Sequence, residues 1–102
     1  MELYLKTRSG ANAVGEYDTE RKTMVVQKGS IVAPDVHKGG KFRGASSVIE
    51  YREQYCDSLK TKQDVMFKSA SAAANFVTGQ STNGLMAWKN SEGVKLRSLL
   101  KK

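Results

Sequence analysis

Phe67-Lys68-Ser69-Ala70-Ser71-Ala72-Ala73-Ala74-Asn75-Phe76-Val77-Thr78-Gly79, continued by Ser81-Thr82-Asn83-Gly84 and Ala87-Trp88-Lys89, decides how this chain folds. It reads as the end of a strand, a helix capped by Ser69 and closed by Gly79, an Asn83-Gly84 turn and a further strand. Ala72, Ala73, Phe76 and Val77 fall on the inward side of that helix, and the alanines allow close approach to its neighbours. The exposed positions carry hydroxyls, amides and a lysine. That inventory suits binding better than bond-breaking.

Upstream, Leu3-Tyr4-Leu5 is apolar enough for a first strand, and Val14–Tyr17 with Met24–Gln27 predict a hairpin with a charged tip. Lys28-Gly29-Ser30 interrupts the second strand before Ile31-Val32-Ala33, as glycine does at a bulge or a close backbone approach. Residues 34–45 read as a mobile glycine-rich basic loop. Ser47-Val48-Ile49-Glu50 has the form of a capping box, predicting a helix from there to Leu59 or Lys60. Its apolar stripe would hold Val48, Ile49, Tyr55, Cys56 and Leu59, with Arg52, Glu53 and Asp57 elsewhere on the wheel. Val65-Met66-Phe67 predicts a short strand. Leu85–Trp88 predicts another, paired through an Asn90–Gly93 turn with Val94-Lys95-Leu96, and Leu96, Leu99 and Leu100 fit a terminal helix. The fold class expected is α+β: a small antiparallel sheet with two or three short helices packed on one side, in one domain over residues 1–102.

Composition narrows the function classes. The chain carries 17 basic and 10 acidic residues, a net charge of +7. Residues 1–27 hold four of each sign, whereas residues 69–102 hold five basic residues and one acidic. The excess therefore lies beyond the first hairpin and favours an anionic partner, of which nucleic acid is the commonest in a cell. A merely solubilising basic surface is the plain alternative. A single cysteine excludes an internal disulfide and fits a reducing, cytoplasmic setting. No apolar run reaches the length of a membrane span, and no signal-peptide core is visible, so neither membrane association nor export is expected.

Several pieces together resemble a small domain at the C-terminal end of some GIY-YIG nucleases and restriction-modification proteins, similar also to the restriction-enzyme adenine-methylase-associated (RAMA) domain. The residues concerned are Val25–Ser30, Phe67–Ala74, Gly79, Asn83-Gly84, Trp88-Lys89 and Gly93, spread over roughly residues 13–100. Ala70 departs from the proline usual in that pattern. Proline there only favours helix initiation, so the fold expectation stands. The basic loop is a second departure. The resemblance implies a non-catalytic accessory domain that touches DNA beside a nuclease or methyltransferase.

Candidate chemistry is sparse. Gly39–Ser46 has the glycine spacing of a phosphate-binding loop, but Ala45 stands at the lysine position, which argues against nucleotide hydrolysis. Lys38, Lys41 and Arg43 could instead follow a phosphate backbone, with Phe42 either stacked on a base or tucked into the core. His37 is the only histidine; neither a metal site, a cofactor site nor general acid–base catalysis is expected of it. Ser69 and Ser71 open a helix, where free amides attract anions, and Lys68 and Lys89 would join them in one basic patch. Lys28, Ser30 and Arg97 complete the candidate set. Trp88 reads as core ahead of contact.

The expected function is a non-enzymatic nucleic-acid-binding module, with DNA ahead of RNA. The alternative is a protein-interaction or weakly homodimeric module, joined through a sheet edge or through Leu99 and Leu100.

Overall fold

Alternation of apolar and polar side chains builds the sheet. In the computed structural model, which describes residues 1–36 and 44–101, β1 (Glu2–Lys6), β2 (Asn12–Asp18) and β3 (Thr23–Val26) form an antiparallel meander. The strand formed by Val65–Phe67 pairs with β3, which places the sequence-distant edge strand beside the meander. Leu3, Leu5, Ala13, Tyr17, Met24, Val26, Val65 and Phe67 point to one face and are buried. Glu2, Lys6, Asn12, Glu16, Asp18 and Met66 are exposed on the other, with Tyr4, Val14 and Val25 half-buried among them. One face is core and the other is open. The charged hairpin tip is held by Asp18, whose Oδ1 accepts from the amides of Glu20 and Arg21 at 2.9 and 3.0 Å.

The helix of the opening motif covers the inner face. It spans Ala70–Thr78 and buries Ala70, Ala73, Ala74, Phe76 and Val77. Ser69 Oγ accepts from Ala72 N–H at 3.0 Å, and Gly79 closes the helix in the left-handed region with φ 76°. Small, mostly alanine, side chains bring it down onto β2 and β3.

Two expectations are corrected. The predicted strand over Leu85–Trp88 is one helical turn, Gly84–Ala87, capped by Asn83, whose Oδ1 accepts from Leu85 N–H at 3.0 Å. Its reason is the close approach at Gly84, where a Cβ would lie 2.2 Å from the carbonyl carbon of Ala70. That turn swings the fully buried Trp88 across the inner face, and its Nε1 donates to the Ala70 carbonyl at 3.0 Å. The indole then rests above Gly15, where a Cβ would meet Met24 Sδ at 2.8 Å and the ring at 3.1 Å.

The second correction concerns the capping box. The first helix, α1, spans Ala45–Tyr55; Gly44 stands at its N-cap without a side-chain bond, so Ser47 already lies inside the first turn. It also stops short of Leu59. Cys56–Asp57 (β4) and Lys60–Thr61 (β5) form a two-stranded ribbon, which makes the Val65–Phe67 strand β6 and gives the main sheet the order β1-β2-β3-β6. Leu59 is left exposed at the ribbon tip, whereas Cys56 stays buried. Ile31 bridges Asn12 on one side and Lys60 on the other, joining ribbon to sheet. The helix Ala70–Thr78 is α2, the turn Gly84–Ala87 is α3, and Leu96–Leu99 forms the terminal helix α4 with Leu96 buried.

Arg52, placed by the helical wheel away from the apolar stripe, turns inward. Its Nη1 donates to Ala33 O at 2.8 Å, and Nε and Nη2 donate to Phe76 O at 3.1 and 2.9 Å. A further bond reaches Val77 O at 3.3 Å. The last turn of α2 has no basic residue of its own, and this guanidinium supplies the missing cation to its final carbonyls.

Candidate functional site

The sequence-predicted set is dispersed by the fold. Ser30 is buried, its Oγ accepting from Val14 N–H at 3.1 Å, and its own amide donates to Thr61 Oγ1 at 3.0 Å. Ser71 Oγ accepts from Gly84 N–H at 2.9 Å, and the Gly84 backbone lies against Ala70 and Ser71. The amides at the start of α2 are thus covered by the chain itself. Lys68 and Lys89 do not share a patch, because Lys68 follows β6 and Lys89 lies beyond β1, at opposite edges of the sheet. Lys28 is exposed at the end of β3, its amide donating to Asp64 Oδ1 at 2.8 Å, and Arg97 is exposed on α4. Lys38, Lys41, Phe42 and Arg43, like His37, lie outside the described residues.

A different cluster forms at the β1 edge. Tyr4 exchanges both backbone bonds with Lys89, at 2.7 and 3.0 Å, so Lys89 extends the sheet by one position. The amides of Asn90 and Leu96 then bond Val94 O and Trp88 O at 2.9 and 2.8 Å. This leaves Lys89 and Lys95 directly opposite each other in a pair without mutual backbone bonds, the geometry in which side chains come closest. Residues paired across an antiparallel ladder share a face. Trp88 and Leu96 accordingly turn into the core, and Tyr4, Lys89 and Lys95 form a row on the open face. Lys6, two residues from Tyr4 on the same strand, joins them, and Tyr4, Lys6, Ala87, Lys89, Asn90, Ser91 and Gly93 line a hollow of about 410 Å³.

No lysine of this corner is ion-paired with a carboxylate. Like charges directly opposite in a sheet are destabilising. The same sheet holds an acidic pair, Glu2 opposite Glu16, but it is relieved: Glu2 accepts from the Tyr4 hydroxyl and Glu16 pairs with the Met1 ammonium. That bond to Glu2, with some burial, raises the Tyr4 hydroxyl above its ordinary pKa. Among the described residues no lysine or arginine side chain is ion-paired with a carboxylate. The Lys89–Lys95 pair has no such relief.

Residues 3–100 match the family model described as a domain of unknown function, DUF4357. The chain belongs to that family. No curated protein and no solved structure matches it. For this DUF4357 domain, sequence reading found Lys89 but missed Lys6 and Lys95. Lys95 was missed by one position: counting outward from an Asn90–Gly93 turn pairs Lys89 with Val94, whereas Asn90 pairs with Val94 across a loop that includes Gly93, at φ 83°, and Lys95 comes opposite Lys89. Lys6 was out of reach, since only the tertiary bridge between Tyr4 and Lys89 brings it there.

The described residues contain no group of three or more histidine, cysteine or carboxylate side chains able to hold a metal ion. No described helix is long and apolar enough to cross a membrane. Burial pushes the Cys56 thiol above its ordinary pKa, against the pull of Arg52 and Lys62, so the buried group is a poor nucleophile.

Proposed function

We propose that this chain is a non-enzymatic nucleic-acid-binding module that docks the phosphates of DNA at the Lys6–Lys89–Lys95 corner. The supporting observation is the unrelieved lysine pair. Two ammonium groups set opposite each other, with a third nearby and no carboxylate partner, gain most from a polyanion whose charges recur at short intervals. Tyr4, Asn90 and Ser91 add a ring edge, an amide and a hydroxyl beside them. The resemblance to accessory domains of GIY-YIG nucleases and restriction-modification proteins supports DNA over RNA, and a nuclease or methyltransferase as the working partner. Such a role belongs inside the cell, in the cytoplasm.

Fluorescence anisotropy with a labelled duplex, over a series of salt concentrations, tests the reading. Affinity should fall steeply with salt, and each of Lys6→Gln, Lys89→Gln and Lys95→Gln should lower the log–log slope by about 0.9. Absence of binding at low salt overturns it.

One observation favours a second reading. Met66 is 67% exposed on β6, a three-residue strand at the sheet edge. An unpaired edge carrying a large apolar side chain is a template for a second strand, as in a protein-interaction or homodimeric module. Light scattering would then show a dimer that forms with concentration and is insensitive to salt.

A further inference from the structure

Another hollow lies at the opposite edge of the sheet from the lysine corner, and its chemistry is unlike that corner's. It measures about 540 Å³, within the range of small-molecule sites. Its walls come from four elements: Thr23 of β3, Ser47, Val48 and Tyr51 of α1, Met66 and Phe67 of β6 with Lys68 after it, and Ala72, Asn75 and Phe76 of α2. Tyr51, Phe67 and Phe76 pack as one aromatic cluster, with ring centroids 5.1 to 6.4 Å apart. Tyr51 nevertheless stays 38% exposed, so part of it is left toward solvent.

The polar groups at this hollow select the ligand's charge. No carboxylate lines it; Lys68, Asn75, Ser47 and Thr23 do. Asn75 Oδ1 already accepts from Thr82 N–H at 2.8 Å, which leaves the amide's N–H donors as its remaining polar capacity. Lys68 adds three donors and a positive charge. An apolar, aromatic floor under a rim that offers an ammonium, an amide and two hydroxyls, and no carboxylate, fits a flat polar ring that carries an adjacent anion. A nucleotide has that constitution.

Resting on the nucleic-acid reading, we propose that this hollow takes one unstacked nucleobase of the bound strand. The ring lies against the exposed part of Tyr51, above the buried Phe67–Phe76 pair, its polar edge faces Asn75, and the neighbouring phosphate meets Lys68. Stacking on aromatic side chains tolerates any base, so the site recognises an unpaired base more than a sequence.

The test uses the full chain and a duplex carrying a single bulged 2-aminopurine, with a fully paired duplex and free adenosine 5′-monophosphate as comparisons. Binding should quench the 2-aminopurine, and the bulged duplex should bind about tenfold tighter than the paired one. Ala72→Leu, which fills the hollow from a half-buried position, should abolish quenching and preference while leaving paired-duplex affinity unchanged. Lys68→Gln, a change at an exposed tip, should weaken the bulged duplex alone. Paired-duplex binding with neither quenching nor preference, or quenching that survives Ala72→Leu, overturns the base site and spares the lysine corner. Saturable binding of the free nucleotide without preference for the bulge overturns a strand-borne base. Failure of every DNA at low salt overturns the underlying reading instead.

Discussion

Arg52 shows how one residue can be read correctly in type and wrongly in place. On a wheel it belongs with Glu53 and Asp57 on the solvated side, yet its guanidinium closes the C-terminus of α2 and ties it to Ala33. Nothing local signals this, because the carbonyls it meets are 19 to 25 residues away. Arg52→Ala should therefore cost about 2–4 kcal/mol, as orphaned carbonyls add to lost charge-assisted bonds, and Arg52→Lys should recover only part, since an ammonium lacks the planar fork. Urea melts of the two variants measure both. Cys56 was placed in the core by a helical stripe and is buried there, although α1 ends one residue before it; its burial carries a pH prediction. Its folded pKa is raised, so the neutral thiol's contribution is fully present below the unfolded value, near 8.5. That contribution is lost as pH rises through the folded value. The melting temperature should decline above about pH 8.5, and Cys56→Ala should flatten that decline; an unchanged alkaline slope would assign it to other groups.

At the scale of elements, legibility followed the strength of local punctuation. Serine at one end and glycine at the other fixed α2 within its own sequence, and short apolar runs, two of them flanking a charged tip, marked β1, β2 and β3. Leu85–Ala87 is apolar throughout and four residues long with Gly84, too short for periodicity to separate strand from helix. What decided it was tertiary: the Gly84 backbone had to reach Ala70, and Trp88 had to cross the sheet. The same segment delivers Lys89 to the β1 edge, so the misread element positions the candidate site. A trade-off follows for the Lys89–Lys95 rung. Lys95→Glu replaces a like-charge pair by an opposite one and should raise stability by up to about 1 kcal/mol. The same change should weaken DNA binding and flatten its salt dependence. A variant that melts higher and binds worse marks the rung as kept for a ligand; one that melts higher and binds equally well moves the phosphate site elsewhere.

Across the whole molecule, the open face is polarised along the strands. Lys6 stands at one end and Glu2, Glu16 and Asp18 toward the other, while Lys89 and Lys95 continue the middle rung of Tyr4 and Val14 outward past β1. The positive surplus expected from composition thus has a direction as well as a sign, one that composition could not supply because Lys6 and Glu2 share a strand. A polyanion on this face is attracted to the Lys6–Lys89–Lys95 corner and repelled by the acidic end, so the part held by the lysines should lie at the β1 edge and not lengthwise over β2. Glu16→Gln removes part of the repulsive end, two positions along β2 from the Val14 that pairs with Tyr4. Within a Debye length that charge is felt at the lysine corner in dilute salt and screened in concentrated salt. Duplex affinity should rise about twofold near 50 mM salt and be unchanged near 300 mM. Equal affinity at both would mean that bound DNA never comes near Glu16, and a fall would mean that the acidic end makes a favourable contact.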